Sequence, residues 1–154
     1  MTAAVFSFLG AFFTPVLQAI HWHHATGFHM ENKLPFFRLC PDAAGVSHFK
    51  PMEVEVFLRE FAPPAAAFSV SELEPASRHG FLCLPGGWVG ELHPSPMRMW
   101  IVVVSGEMEF KAGDGATQRL LPGSALLLED TTGMGHCSKV LGSCPAVLSV
   151  VHVD

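Results

Sequence analysis

Two histidines stand where they could move a proton. His93 closes the run WVGELH, and His136 closes EDTTGMGH, in which two threonines and two glycines follow the apolar run SALLLE. Imidazole titrates near neutral pH, so a pair of them in one cavity can serve as acid and base toward a small molecule. Burial among apolar side chains favours their neutral forms. Trp88, Met99, Trp100 and Phe110 are the expected apolar lining, with Ser95 as a nearby hydroxyl. The competing structural reading is that each histidine hydrogen-bonds a core hydroxyl such as Ser95.

A carboxylate stands close to the first histidine. Glu91 precedes His93 by two residues, so on a regular strand both side chains leave the same face. With His136 they would form a two-histidine, one-carboxylate set suited to a divalent Mn, Fe, Ni or Zn ion. Proton transfer without any cofactor is the preferred expectation, and this metal set is its alternative. Asp130, just before Thr131 and Thr132, reads as a turn former bonded to its own backbone. The role of His48 is open, His79 reads as an exposed turn residue, and His152 as one end of the last strand.

Other chemistries lack their signatures. Ser95 sits between two prolines with no Gly-x-Ser-x-Gly elbow, and Cys137 would point to the strand face opposite His136. No phosphate loop or dinucleotide fingerprint is present. The four cysteines lack CxxC spacing, so they read as reduced, partly buried thiols. A net charge of −5, with nine Lys plus Arg and no basic run, argues against nucleic acid as a partner.

The elements that must position the two histidines are strands. From about Leu34 the chain shows short apolar runs separated by Gly, Pro and Asp, which is the rhythm of an all-β domain. MEVEVFL (52–58) alternates with a period near two and is stopped by FAPPAAAF, where Pro63 and Pro64 remove two donors. RHGFLCL, WVGELH and WIVVVSGEMEFKAG follow, punctuated by Pro85-Gly86-Gly87 and by Gly113-Asp114-Gly115. TQRLLPGSALLLED then gives two short strands split at Pro122-Gly123, and SCPAVLSVVHVD closes the chain. About eight strands result, with no room for crossover helices, which suggests a sandwich or a small double-sheet barrel able to hold a ligand.

GWVGELHPSPMRMWIVVVSG (87–106) resembles the first motif of the cupin superfamily, G-x5-H-x-H-x3-E-x6-G. Gly87, His93 and Gly106 match it, while Ser95 and Met99 replace the second histidine and the glutamate. PGSALLLEDTTGMGHCSKV is similar to the second motif, G-x5-P-x-G-x2-H-x3-N, through Gly133 and His136. There Thr131 stands for the proline and Val140 for the asparagine, and Gly123 lies two residues upstream. Residues 36–154 look like a small single-domain cupin. The resemblance implies a double-stranded β-helix, or jelly-roll barrel, over residues 34–154, and a homodimer. A metal-binding cupin presents three histidines and one glutamate, and two of those four are replaced here. Serine and thioether are weak ligands for such an ion, so the dioxygenase chemistry of metal cupins does not transfer.

The expected function is binding of a small organic molecule, with isomerase, lyase or cyclase chemistry by His93 and His136. The alternatives are a metal-dependent, oxygenase-like cupin and a ligand-binding module without chemistry. Residues 1–33 are set apart as an apolar extension, because the first 28 residues contain no Asp, Glu, Lys or Arg. It reads as a leader, an arm packed on the domain or a partner, or a stretch ahead of an internal start at Met30. Pro15 interrupts its apolar run, which stops short of the roughly 20 residues a membrane helix needs. Membrane contact is therefore expected only through this extension, and the compartment is left open between the cytoplasm and a secretory or organellar route.

Overall fold

The structure is a computed structural model that describes residues 32–154. The expected extension lies outside the described residues apart from Asn32 and Lys33, and with it the histidines at 21–24 and the start at Met30. Among the described residues there are twelve strands: β1 (Lys33–Pro41), β2 (Ser47–Glu55), β3 (Phe57–Arg59), β4 (Phe68–Val70), β5 (Ala76–Leu84) and β6 (Val89–His93). They are followed by β7 (Met99–Ser105), β8 (Met108–Lys111), β9 (Thr117–Leu120), β10 (Ala125–Leu128), β11 (His136–Val140) and β12 (Ala146–Val153). Among the described residues no helix is long and apolar enough to cross a membrane.

Alternation of side chains explains why these segments make a two-layered barrel. In β7, Met99, Ile101 and Val103 are buried, while Trp100, Val102 and Val104 face the other way. In β8, Met108 and Phe110 are buried between Glu109 and Lys111. β12 buries Ala146, Leu148 and Val150. These inward residues, with Leu39, Leu120, Leu126, Leu128 and Val140, form one apolar cluster against which Phe37, Phe49, Leu84 and Trp88 also pack. Removing that apolar area from water is the main favourable term in holding the layers together.

The last eight strands pair in a nested order. β5 pairs with β12, β6 with β11, β7 with β10 and β8 with β9, all antiparallel. Alternate pairs go to opposite sheets, giving β5-β12-β7-β10 within one and β6-β11-β8-β9 as the other. That is a long hairpin wound into a double-stranded β-helix, the jelly-roll barrel of the cupins. β1 extends the larger sheet by running parallel to β10, and β2 closes that side antiparallel to β1.

The winding brings particular residues to one end of the barrel. β5, β7 and β11 begin there, at Ala76, Met99 and His136, whereas β6, β10 and β12 finish there, at His93, Leu128 and Val153. Both histidines of interest therefore lie at the same end.

Two sequence expectations for β2 and its surroundings need correction. MEVEVFL is not one strand: the ladder breaks at Val56, whose N–H bonds the carbonyl of Asn32, and a separate β3 pairs with β4 around the proline pair. Nor do its alternate residues share one buried face, since Val56 is buried but Met52 and Leu58 are exposed. His79 is a mid-strand residue of β5 rather than a turn. It faces outward, with Nε2 3.0 Å from the Ser149 hydroxyl.

Candidate functional site

His93 and His136 are direct cross-strand partners in the antiparallel β6–β11 pair. Their ring centroids are 5.0 Å apart, with planes tilted by 46°. Close approach of the backbone enforces this pairing. Gly135 has φ +75°, and a Cβ there would stand 2.0 Å from the carbonyl oxygen of His93. Only glycine lets the chain enter β11 so near the end of β6.

The loop before β11 is pinned from the other side as well. The Ser47 hydroxyl donates to the carbonyl of Gly135 at 2.6 Å and accepts from the N–H of Gly113 at 2.7 Å. Met134 N–H donates to the carbonyl of Gly45 at 2.9 Å. The β1–β2 turn thus fixes the segment that delivers His136.

Asp130 does not have the turn role expected of it. It is fully buried, and its Oδ2 lies 2.7 Å from Nδ1 of His136. Its backbone carbonyl accepts from the N–H of Ser95 at 3.0 Å. The side chain is therefore spent on the histidine and not on its own downstream backbone. Two threonines and a glycine after an aspartate suggest a local turn, whereas the real partner is reached only after the loop closes on β11.

The chemical consequence concerns the two ring nitrogens. A carboxylate accepting from Nδ1–H leaves Nε2 of His136 with its lone pair, which is the form that takes a proton. Asp130 also fixes the ring's orientation. At His93, Nδ1 is 2.7 Å from the backbone carbonyl of Glu91, an acceptor only, so its Nε2 is again the nitrogen left for other partners. His136 is buried and His93 exposed, with Phe110 packed 5.6 Å from the His136 ring. One histidine sits inside the barrel end and the other at its edge. Asp130 Oδ1 has no hydrogen-bond partner among the described residues, although it is buried, so an acceptor remains at this end.

The expected lining residues separate into two groups. Met99 and Phe110 belong to the buried core, and Trp88 packs half-buried against it with its ring over Gly90. Trp100 does not line the interior. Successive strand residues leave opposite faces, so with Met99 inside, Trp100 lies outside, where it packs edge-on against Phe36 at 4.7 Å and donates to Glu74 at 3.1 Å. Ser95 is buried, but its hydroxyl donates to the carbonyl of Met97 at 2.7 Å and not to either histidine.

Glu91 is also displaced from its expected position. His136 pairs with His93 and Ser138 with Gly90, so between these pairs two residues of β6, Glu91 and Leu92, oppose one of β11, Cys137. This bulge breaks the period of two, and the face that carries His93 carries Gly90 and not Glu91. Among the described residues, no three His, Cys, Asp or Glu side chains come together to hold a metal ion. The donors present at the cupin positions, a serine bonded to backbone and a core methionine, do not fit a divalent ion.

His48 has a definite place that its sequence context left open. Its Nδ1 is 2.8 Å from Asp114 Oδ2, in the β8–β9 turn, and its Nε2 is 3.0 Å from Asp42 Oδ2, in the β1–β2 turn. The hydrogen bond to Asp42, then that to Asp114, holds the imidazole above its ordinary pKa. Asp42 is held below the usual carboxylate range, mainly by His48. On the outer face of the larger sheet, Glu129 is bound by Arg38 and by Arg98. Burial raises its pKa, but these two guanidinium groups more than offset that and the net shift is downward.

No protein-family model and no curated protein matches this chain. Solved structures match it at low identity. The cupin domain of Schizosaccharomyces pombe Cnp3 is 16% identical over 80% of this chain and 89% of its own, with a TM-score of 0.42. A Bacillus halodurans protein is 17% identical over 49% of this chain, with a TM-score of 0.41. A conserved Streptococcus pyogenes protein of unknown function is 21% identical over 49%, with a TM-score of 0.36. The match spans 61% of the Bacillus protein and 63% of the Streptococcus protein.

Proposed function

We propose that this cupin-fold chain binds a small organic molecule at the histidine end of its barrel and moves a proton on it without a cofactor. His136 Nε2 is the base and His93, at the edge of the same end, is the second proton-transfer group. The observation that carries this reading is the buried Asp130–His136 contact of 2.7 Å, which orients the ring and leaves Nε2 free to accept. A general base placed in this way contributes about 10²- to 10⁴-fold to the rate of proton transfer. Abstraction beside a carbonyl group followed by return of the proton to carbon from His93 or His136 is isomerase chemistry; loss of a β-substituent from the same enolate, with the proton delivered to that leaving group, is lyase chemistry. The metal-dependent alternative is not favoured, because Glu91 is carried off the face of His93.

The test uses small aldehydes, ketones and keto acids incubated with the protein in D2O, with loss of C–H signal followed by proton NMR. Exchange catalysed by the wild type and lost in His136→Gln and Asp130→Asn supports the assignment. Exchange that persists in both variants contradicts it. Binding without exchange for every compound would make the site a ligand-binding module.

A further inference from the structure

We infer that the ligand of this site is an anion, held through a carboxylate or phosphate group by Arg78; the inference rests on the proposal that the histidine end is the binding site. The register of three strands carries the argument. Met99, a core residue of β7, pairs with His152 of β12, and His152 pairs with Arg78 of β5. Directly opposed residues in antiparallel strands leave the same face, so His152 and Arg78 share the interior face of Met99. They lie at the end where β5 begins and β12 finishes, which is the end that carries His93 and His136 on the opposing sheet.

Most charges around this end have partners. Glu91 at the β6 bulge and Lys111 beside buried Phe110 have none among the described residues, but the strands carry them outward, which leaves Arg78 as the cation on the interior face. Asp130 bonds His136, and Asp42 and Asp114 hold His48. Glu129 is bound by Arg38 and Arg98, and Glu74 by Trp100. Arg78 is exposed and has no acidic partner among the described residues. Next to it, His152 Nδ1 is buried without a hydrogen-bond partner among the described residues. A planar guanidinium binds carboxylate or phosphate with two parallel hydrogen bonds, and an imidazole nitrogen beside it can add a third. Anchored there, a small molecule extends across the barrel end toward His136 Nε2. A keto acid and a phosphorylated keto compound both have the required anionic group and a removable proton.

The experiment uses the full chain, with phenylacetate and phenyl phosphate as anionic probes and phenylacetamide as the neutral control. Binding is read from the ring signals of assigned histidines and from the dissociation constants. Both anions should move the His152 signal, and the tighter of the two identifies carboxylate or phosphate as the natural group. Arg78→Gln should weaken binding by about tenfold or more, the worth of one charge-assisted hydrogen bond, and Arg78→Lys should weaken it less. Thermal melting of Arg78→Gln should match the wild type, since the residue is exposed. Equal binding of the amide, an unchanged constant in Arg78→Gln, or no response to either anion would overturn the inference. His136→Gln separates the two proposals: it should abolish C–H exchange while leaving anion affinity nearly intact.

Discussion

Replacing Gly135 by alanine tests how the site is built. The new methyl group would meet the carbonyl oxygen of His93 at 2.0 Å, its carbonyl carbon at 2.1 Å and the nitrogen of Pro94 at 2.2 Å. All three are backbone atoms, so no side chain can rotate away, and the loop must shift by roughly an ångström to reach ordinary contact. Gly115 supplies the control. It has φ +89°, close to the +75° of Gly135, yet nothing lies within 4 Å of an added Cβ. The Gly115→Ala variant should therefore show only the backbone penalty of a left-handed residue, about 1–2 kcal/mol. Gly135→Ala should show that penalty plus the overlap, for a total of about 3–5 kcal/mol, the range of disruptive core changes. In a domain of this size each kcal/mol lowers Tm by about 3–5 °C, so the two melting curves should separate by several degrees. Gly135→Ala should also move His136 away from His93 and depress proton exchange, whereas Gly115→Ala should not. Equal destabilisation by the two substitutions would refute the argument that close approach positions His136.

The His48 clamp should make stability depend on pH. With its pKa raised, His48 contributes fully below its ordinary value of 6.5, and the contribution fades as pH rises through the raised value. Asp42 and Asp114 are lowered, by His48 first at Asp42 and by the Ala116 N–H first at Asp114. Their share is present above the ordinary 3.8 and is lost as pH falls through the lowered values. Denaturant midpoints of wild type and His48→Gln should thus differ more at pH 5.5 than at pH 8.5; a constant difference would remove the clamp from the account. A homodimer is the proposed assembly, through the open edge at β5, where Phe81 is 65% exposed. Sedimentation equilibrium should give twice the chain mass, and Phe81→Ser should shift it toward monomer. A wild-type monomer at micromolar concentration would contradict this assembly.

Much of the barrel was legible because its signals are local. The alternation in MWIVVVS, the turns at Pro85-Gly86-Gly87 and Gly113-Asp114-Gly115, and the break at Pro122-Gly123 each mark a strand or its end. The eight strands expected from that rhythm are close in number to the nested jelly-roll strands. β1 beside β10, and the β3–β4 ribbon around Pro63 and Pro64, were less legible because they depend on pairing between distant segments. The errors at the site follow the same division. The outward face of Trp100 was already implied by a buried Met99, since neighbours on a strand cannot share a face. The displacement of Glu91 could not be read, because a bulge leaves no mark in a five-residue run. Asp130 was misassigned because turn chemistry acts over two residues, whereas its partner lies six residues on and is reached by closing a loop. Arg78 drew no attention and His152 was read only as one end of the last strand, because only the β12 register places them beside Met99.

The central claim is that Asp130 holds His136 with its proton on Nδ1 and its lone pair on Nε2. Long-range proton–nitrogen NMR of the histidine rings at pH 8, assigned with His136→Gln, reads the two nitrogens separately. The account predicts a protonated Nδ1 and a bare Nε2 in the wild type, with the preference weakened in Asp130→Asn. A wild-type spectrum showing the proton on Nε2 would contradict it and remove His136 as the base.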